Sequence, residues 1–233
     1  MLVHGAWHGS WCWEAVAQIL RGRGHRVTTP CQTGVGERAG ELSAEITLET
    51  FVADIATHLE EEALSDVILV GHSFAGGPVS GAAERQPTRV KRLIYLDANF
   101  LAPGETPLSR SPADVIEDRR RVAEESSGGL SLPPPRPSLL GIADPAQAEW
   151  VVGRMTPHPF QTFVTPLDLQ AEPAAHHPAD YIWVTEPEYR PLIASRERAQ
   201  ERGIPMHALA TGHDAMVTAP QALTDLLERL AIQ

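Results

Sequence analysis

One serine of the chain stands in a context that suits covalent catalysis. The apolar residues 67–70, most of them β-branched, run into Gly71-His72-Ser73-Phe74-Ala75, and Gly76 then opens a stretch of small residues. This pattern predicts a strand, a sharp turn and a helix, with the serine at the turn. Glycines on both flanks suit such a turn, because the serine backbone is strained and the neighbouring chain passes too close for a side chain. We therefore predict that Ser73 is a nucleophile.

A serine nucleophile needs a base and a site for the developing negative charge. A histidine titrating near neutral pH is the suitable base, and His213 follows the serine at the end of the chain, just before the last helix. Two preorganised backbone donors are needed for the oxyanion. We expect one from the N–H of Phe74, the residue after the nucleophile, and the other from Ala6 in the loop after the first strand.

Two further residues are candidates for substrate binding. Trp7 follows the turn that holds Ala6, and core packing is the alternative for its ring. His72 directly precedes the nucleophile.

Composition limits the classes of function. The 233 residues, 42% of them hydrophobic, suit a single domain with a sizeable core. A net charge of −11 disfavours nucleic acid as a partner. No apolar run of membrane-spanning length and no signal peptide are visible, so we expect no membrane partner. Cys12 and Cys31 have neither a disulfide pattern nor a metal spacing, and no metal site is expected. A reduced, cytoplasmic enzyme is the expectation.

The elements that position these residues alternate between strand and helix, which predicts an α/β fold with a mostly parallel sheet covered by helices on both faces. Strands are predicted at residues 1–4, 25–29, 66–70, 91–96, 181–185 and about 205–210. Helices are predicted after an N-cap at Ser10, from Thr47, after the turn that holds Ser73 (the elbow), at about 190–202 and from Pro220.

Residues 100–180 interrupt this alternation. They are rich in proline and contain helical pieces near 112–126 and 144–154, without a sheet pattern. We predict one domain over 1–233, with a core at about 1–99 and 181–233 and a cap insertion at about 100–180. Apolar cap side chains are candidates for a substrate pocket, with cap packing as the alternative: Trp150, Met155, Phe160 and Phe163.

Four segments together resemble the α/β-hydrolase family, in the branch of plant methylesterases, hydroxynitrile lyases and bacterial esterase relatives. These segments are LVHGAWHGSW (2–11), VGHSFAG (70–76), YLDA (95–98) and GHDAM (212–216). The resemblance implies a small single-domain hydrolase with a cap after the sixth strand and no cofactor. It implies small carboxylic esters or cyanohydrins as substrates, and it carries over Ser73, His213 and the Ala6 and Phe74 donors.

Two departures disfavour the cyanohydrin-cleaving members. Those members resemble one another in having a threonine at the position of Gly5 and a lysine at the position of Asp214. A carboxylate beside the catalytic histidine disfavours cyanide as a bound anion.

A third departure concerns the acid that orients the histidine. The family places an aspartate a few residues past the strand that is predicted to end at Thr185, and here Pro187 stands at or next to that position. Glu186 is the closest substitute, and we predict it as the acid. The alternatives are Asp97 at the end of the preceding strand, Glu188, Asp180, or no acid at all.

The sequence therefore predicts a hydrolase of small-molecule esters that forms an acyl-enzyme on Ser73, as a monomer or homodimer. The first alternative is a lyase, cyclase or isomerase that uses the same serine and histidine on a small metabolite. The second is a binding protein with a vestigial triad, which the intact elbow and histidine disfavour.

Overall fold

The computed structural model describes residues 1–232, and its centre is a five-stranded sheet in the order β1-β2-β3-β6-β7. Every neighbouring pair in this sheet is parallel. A separate antiparallel pair, β4-β5, lies in the segment inserted between β3 and β6. The strands are β1 Leu2–Val3, β2 Val67–His72, β3 Val90–Leu96, β4 Ser131–Leu132, β5 His158–Pro159, β6 Ala179–Val184 and β7 Met206–Leu209.

Helices cover both faces of the sheet, as predicted. Alternate strand residues bury on opposite faces: Leu69 of β2 packs in one hydrophobic cluster with helices α2, α3 and α7, and Val70 packs in another with α1, α8 and α9. This alternation is the pleat of a strand buried on both sides. The α-helices are α1 Glu14–Gly22, α2 Leu48–Glu61, α3 Gly76–Arg85, α4 Ala113–Ser127, α5 Pro145–Val152, α6 Gln161–Val164, α7 Ile193–Glu201, α8 Ala215–Thr218 and α9 Pro220–Ala231.

The predicted strand at 25–29 is absent from the sheet. Its one backbone bond to β1 runs from the Leu2 N–H to the Thr28 carbonyl, at 3.0 Å. His25 and Arg26 are exposed, so this stretch has no second apolar face to bury and does not continue the ladder beyond β1.

The predicted N-cap at Ser10 is also wrong. Ser10 begins a short 3-10 helix, Ser10–Trp13, and makes no side-chain cap. The carboxylate of Glu37 instead accepts hydrogen bonds from the N–H groups of Ser10 and Trp11, at 3.1 Å each, and from the Ser10 hydroxyl at 2.6 Å. Although burial acts against it, hydrogen bonds from the Cys31 thiol and from Ser10 lower the pKa of Glu37 to about 2.

The segment between β3 and β6 rests on the carboxyl ends of the strands. Its apolar residues share one hydrophobic cluster with Trp7, Phe51 and Phe74 of the core. The members of that cluster that come from this segment include Leu108, Leu132, Phe160, Phe163 and Leu167. Helices α4 and α5 lie close to the positions predicted from the sequence, at 113–127 and 145–152. Among residues 1–232, no helix has both the length and the hydropathy to cross a membrane.

Candidate active site

Ser73 lies at the turn between β2 and α3, as the glycine pattern predicts. Its φ is 54°, in the left-handed region that side chains rarely adopt. Its carbonyl accepts a hydrogen bond from the Asn99 N–H at 2.8 Å, which joins the elbow to the end of β3. A Cβ at Gly71 would lie 2.7 Å from Val79, and one at Gly76 would overlap the Asn99 carbonyl oxygen. The turn therefore requires both glycines.

This close approach makes a prediction for stability. Gly76→Ala should lower the free energy of unfolding by about 1–3 kcal/mol or more, because rigid backbone must move to admit the methyl group. Gly77→Ala is the matched control, since its Cβ would first meet the end of a flexible side chain, Leu101, at 3.1 Å. Urea unfolding of the two variants measures the difference. Equal penalties would contradict the account of the elbow.

The structure brings Ser73, His213 and Asp97 into one hydrogen-bonded chain. His213 Nε2 lies 2.8 Å from Ser73 Oγ, and His213 Nδ1 lies 2.6 Å from Asp97 Oδ2. A carboxylate can only accept, so Nδ1 carries the proton and Nε2 is free to accept from the serine hydroxyl. His213 and Asp97 are both buried, with 2% and 4% of their surface exposed.

The topology explains why these residues meet. Ser73 follows β2 and Asp97 follows β3, and these strands are parallel neighbours whose carboxyl ends share one edge of the sheet. Asp97 has a φ of 41°, so it is a second non-glycine site residue in the left-handed region. Such strain is characteristic of functional sites, where the surrounding structure holds it in place.

The prediction of Glu186 as the acid needs correction. Glu186 is exposed, and His213 contacts Asp97 instead. Glu188 is exposed and pairs with Arg196 at 2.5 Å. Asp180 lies near the amino end of β6 and pairs with Arg92 and His207. Of the four carboxylates considered, only Asp97 has the position required of the acid.

The loop in which the resemblance to the family placed the acid contributes an aromatic ring here. Tyr189 stacks on the His213 imidazole, with ring centroids 3.7 Å apart and planes at 15°. Burial raises the pKa of Tyr189 to about 12, so the ring is a neutral phenol. The stacked ring limits the rotation of the imidazole, and its π face attracts the positive charge that an imidazolium carries during a reaction. Sequence reasoning missed this residue, although it stands only four positions after Thr185.

The oxyanion loop lies directly against the elbow. A Cβ at Gly5 would be 2.9 Å from Ser73 Cβ, so the backbone leading into Ala6 passes beside the nucleophile. No acceptor for the Ala6 N–H is found within residues 1–232, and Phe74 stands in the first turn after the elbow, where backbone donors have no partner within the helix. These positions suit both predicted donors, whose role stays a prediction.

Neither predicted substrate-binding residue is freely accessible. The Trp7 indole N–H donates to the Leu132 carbonyl at 3.1 Å, and the Trp7 backbone N–H donates to His158 Nδ1 at 3.3 Å. His72 is buried, and its Nε2 donates to the His213 carbonyl at 3.0 Å. Trp7 therefore joins the inserted segment to the oxyanion loop, and His72 supports the loop of the base.

A second buried histidine–carboxylate pair links the oxyanion loop to the loop of the base. His8 Nε2 lies 2.9 Å from Asp214 Oδ2, and His8 Nδ1 lies 2.7 Å from the Ala6 carbonyl. Both ring nitrogens face acceptors, so both carry protons and His8 is an imidazolium. Although burial acts against the charge, Asp214 raises the pKa of His8 overall, and His8 lowers that of Asp214 despite its burial. The carboxylate that departs from the family pattern thus anchors Ala6.

We predict that Asp214→Asn destabilises the protein by about 3–5 kcal/mol at neutral pH, because it leaves a buried cation without its partner. The raised pKa of His8 stabilises the fold below that pKa, and this contribution disappears as the pH rises through it. The lowered pKa of Asp214 stabilises the fold above it, and this contribution disappears as the pH falls through it.

The loss of stability in Asp214→Asn should therefore be largest at pH values between the pKa of Asp214 and that of His8. It should shrink as the pH rises above the pKa of His8. Urea unfolding at a series of pH values measures it. Asp225→Asn is the matched control, because Asp225 is half exposed and solvent screens its pairing with Arg23. A penalty for Asp214→Asn as small as that of the control would contradict the role of the pair.

The candidate pocket residues separate into two groups. Phe163 lies beside the site, with its ring centroid 5.1 Å from that of Phe74 and 6.0 Å from that of Trp7. Phe160 is buried in the same cluster, and Met155 packs against it. Trp150 instead packs on Trp11, at 5.2 Å.

The described residues do not assemble a metal centre, since residues 1–232 contain no group of three or more histidine, cysteine or acidic side chains arranged to hold an ion. Cys12 and Cys31 are free thiols. Burial raises the pKa of both, and to about 12 for Cys31.

The fold and the order of the site residues define a class of protein, and comparison with known families agrees. The chain belongs to the alpha/beta hydrolase family, whose model matches residues 1–226. This confirms the predicted family and fold.

Several relatives are esterases or hydrolases. A carbendazim hydrolyzing esterase from a Nocardioides species is 35% identical over an alignment of 239 positions, gaps included. The alignment covers 99% of this chain and 98% of that protein. Methylesterase 9 of Arabidopsis thaliana is 32% identical over 146 residues, covering 60% of this chain and 57% of that protein. An extracellular alpha/beta-hydrolase from a Paenibacillus species has a similar structure, with a TM-score of 0.81, 24% identity, and coverage of 98% of this chain and 96% of that one.

Proposed function

We propose that this protein is a serine hydrolase that cleaves small carboxylic esters through an acyl-enzyme on Ser73. The observation that carries the proposal is the hydrogen-bonded chain from Ser73 through His213 to Asp97, with distances of 2.8 and 2.6 Å. This geometry has the nucleophile, base and orienting acid that acyl transfer requires.

In the first half of the proposed reaction, His213 Nε2 takes the Ser73 proton while Oγ attacks the ester carbonyl. The carbonyl oxygen becomes an oxyanion and accepts hydrogen bonds from the Ala6 and Phe74 N–H groups. Asp97 and the Tyr189 ring stabilise the imidazolium that has formed. The imidazolium then gives its proton to the leaving alkoxide, and the alcohol departs from the acyl-enzyme.

In the second half, His213 removes a proton from water, and the resulting hydroxide attacks the acyl carbon of the ester on Ser73. The second tetrahedral intermediate uses the same two backbone donors. It collapses as the imidazolium returns a proton to Ser73 Oγ, which releases the carboxylic acid. No cofactor takes part in any step.

The relatives support hydrolysis over the lyase, cyclase and isomerase alternatives. The relative that matches almost the whole chain is an esterase named for carbendazim, and others are a pyrethroid hydrolase and plant methylesterases. The position of Gly5 also argues against the hydroxynitrile lyase pattern. A threonine there would place its Cβ 2.9 Å from both His72 Nδ1 and Ser73 Cβ.

The inserted segment at about 100–180 is proposed to act as a cap. Its Phe163 ring packs against Phe74, the residue after the nucleophile. Its Leu140 carbonyl accepts a hydrogen bond from the Asp214 N–H at 3.1 Å. A cap that contacts both loops of the site can exclude water and select the substrate. We also propose that the protein works as a monomer or homodimer in the cytoplasm, where free thiols such as Cys12 and Cys31 persist.

Reaction with a fluorophosphonate and with p-nitrophenyl acetate tests the proposal. The wild-type protein should be labelled once per chain and should turn over the ester, whereas Ser73→Ala should not be labelled and should keep only a small residual turnover. A wild-type protein inert to both reagents would contradict the proposed function.

A further inference from the structure

Helix α4 of the inserted segment points one arginine toward the core. Ile116 and Ala123 lie on the side of α4 that packs into the hydrophobic cluster around Phe74 and Phe163. Arg119 stands between them at helical spacing. Arg119 is half-buried, whereas Arg120 and Arg121 are exposed. A guanidinium on the inward side of a helix is costly to desolvate unless it finds a partner.

Arg119 lacks such a partner among residues 1–232. Its Nε is buried without a hydrogen-bond acceptor, which is true of no other arginine nitrogen in this part of the chain. The neighbouring Arg121, in contrast, pairs with Asp118 and Glu125. The Arg119 guanidinium lies over the ring of Phe163, whose centroid is 5.9 Å from Cζ.

One packing path and one electrostatic effect connect this cation with the reacting groups. Phe163, under the guanidinium, lies 5.1 Å from the ring of Phe74, whose N–H is the predicted oxyanion donor. After burial, the positive charge of Arg119 is the largest influence on the pKa of Tyr189, and Tyr189 stacks on His213. Arg119 thus lies one ring away from Phe74, and its charge acts on the phenol that stacks on the base.

We propose that Arg119 binds a carboxylate on the substrate, so that the preferred esters carry a second, ionised acid group. This inference rests on the proposed esterase function and names its substrate class. A guanidinium offers paired N–H donors that match the two oxygens of a carboxylate. In a protein of net charge −11, anionic substrates are otherwise disfavoured, so a single inward cation gives strong selection.

The test compares esters that differ only in this charge. Monomethyl glutarate, adipate and pimelate are each paired with the methyl ester of the corresponding ω-amide, which has nearly the same shape and no charge. For the best chain length, kcat/KM should favour the acid, and Arg119→Gln should reduce this preference by about ten- to a hundredfold. Arg120→Gln removes the same charge one residue further along, on the exposed side, and should keep the wild-type preference.

Two further measurements separate recognition from packing and from turnover. Arg119→Lys should keep part of the preference, because it retains the charge, whereas a loss of cap packing would remove the preference in both variants. Calorimetric titration of monomethyl adipate into Ser73→Ala and Ser73→Ala/Arg119→Gln measures binding without hydrolysis, and the second protein should bind about ten- to a hundredfold more weakly.

Equal kcat/KM for acid and amide in the wild-type protein, or equal binding by the two Ser73→Ala proteins, would overturn the inference and leave the esterase proposal intact. Absence of hydrolysis combined with Arg119-dependent binding would overturn the esterase proposal and support carboxylate recognition.

Discussion

Replacing Ser73 with alanine is expected to lower kcat for p-nitrophenyl acetate by about 10⁵- to 10⁶-fold. The proposed reaction passes through an acyl-enzyme bonded to Ser73 Oγ, and the alanine variant lacks this oxygen. The backbone donors and the substrate pocket remain in the variant, so a residual rate about 10³-fold above that in water is expected. Steady-state turnover measures the fall in kcat and the residual rate. The burst of p-nitrophenol reports formation of the acyl-enzyme on Ser73.

A buried serine next to the elbow is the matched control. Ser80 lies on α3, where its hydroxyl bonds the Gly76 carbonyl and the Tyr95 hydroxyl, each at 2.8 Å. Ser80→Ala removes the same atom and should cost about 1 kcal/mol of stability while the burst persists. Substantial turnover by Ser73→Ala would show that the nucleophile lies elsewhere.

Replacing Asp97 with asparagine is expected to lower kcat by about 10⁴-fold with little change in the fold. An asparagine can present N–H groups toward His213, which favours the wrong tautomer and places a proton on Nε2, where Ser73 must donate. The matched change is Glu186→Gln, in the exposed loop, which should leave kcat within about twofold because surface changes there do not reach His213. Steady-state kinetics of the two variants side by side measure the contrast.

A spectroscopic readout separates this role from general damage to the site. The proton that His213 shares with Asp97 across 2.6 Å should give a far-downfield NMR resonance. This resonance should disappear in Asp97→Asn and persist in Glu186→Gln. A large loss of kcat in Glu186→Gln, with the resonance intact in Asp97→Asn, would restore the prediction made from the sequence.

The nucleophile and the base could be predicted because their signals are local. The glycines around Ser73 reflect contacts that a side chain would prevent, and they are visible in six consecutive residues. The helices after residue 10 and from Pro220 are likewise predicted from local spacing, and Val16 of α1 and Leu223 and Leu227 of α9 are buried in the structure.

The acid could not be chosen from the sequence because its position depends on the order of strands. Asp97 and His213 are 116 residues apart, and only the adjacency of β2 and β3 brings Asp97 beside Ser73. Residues 185–191 offered carboxylates near the position expected for the family, yet no contact holds Glu186 toward the histidine. The structure places Tyr189 there instead.

The pairing of His8 with Asp214 shows the same limit. The sequence marked Asp214 as a departure from the family, but its partner lies 206 residues away on the oxyanion loop. The charge of His8 follows from two acceptors at its ring nitrogens, which is information that only the folded structure contains.

The most direct test of the account is the rate and site of fluorophosphonate labelling, because this reaction needs the triad but no knowledge of the natural ester. Peptide mass spectrometry should place the label on Ser73 in the wild-type protein, Asp97→Asn should be labelled about 10³-fold or more slowly, and Glu186→Gln should react at the wild-type rate. A label on another residue, or slow labelling of Glu186→Gln with fast labelling of Asp97→Asn, would contradict a hydrolase built on Ser73, His213 and Asp97.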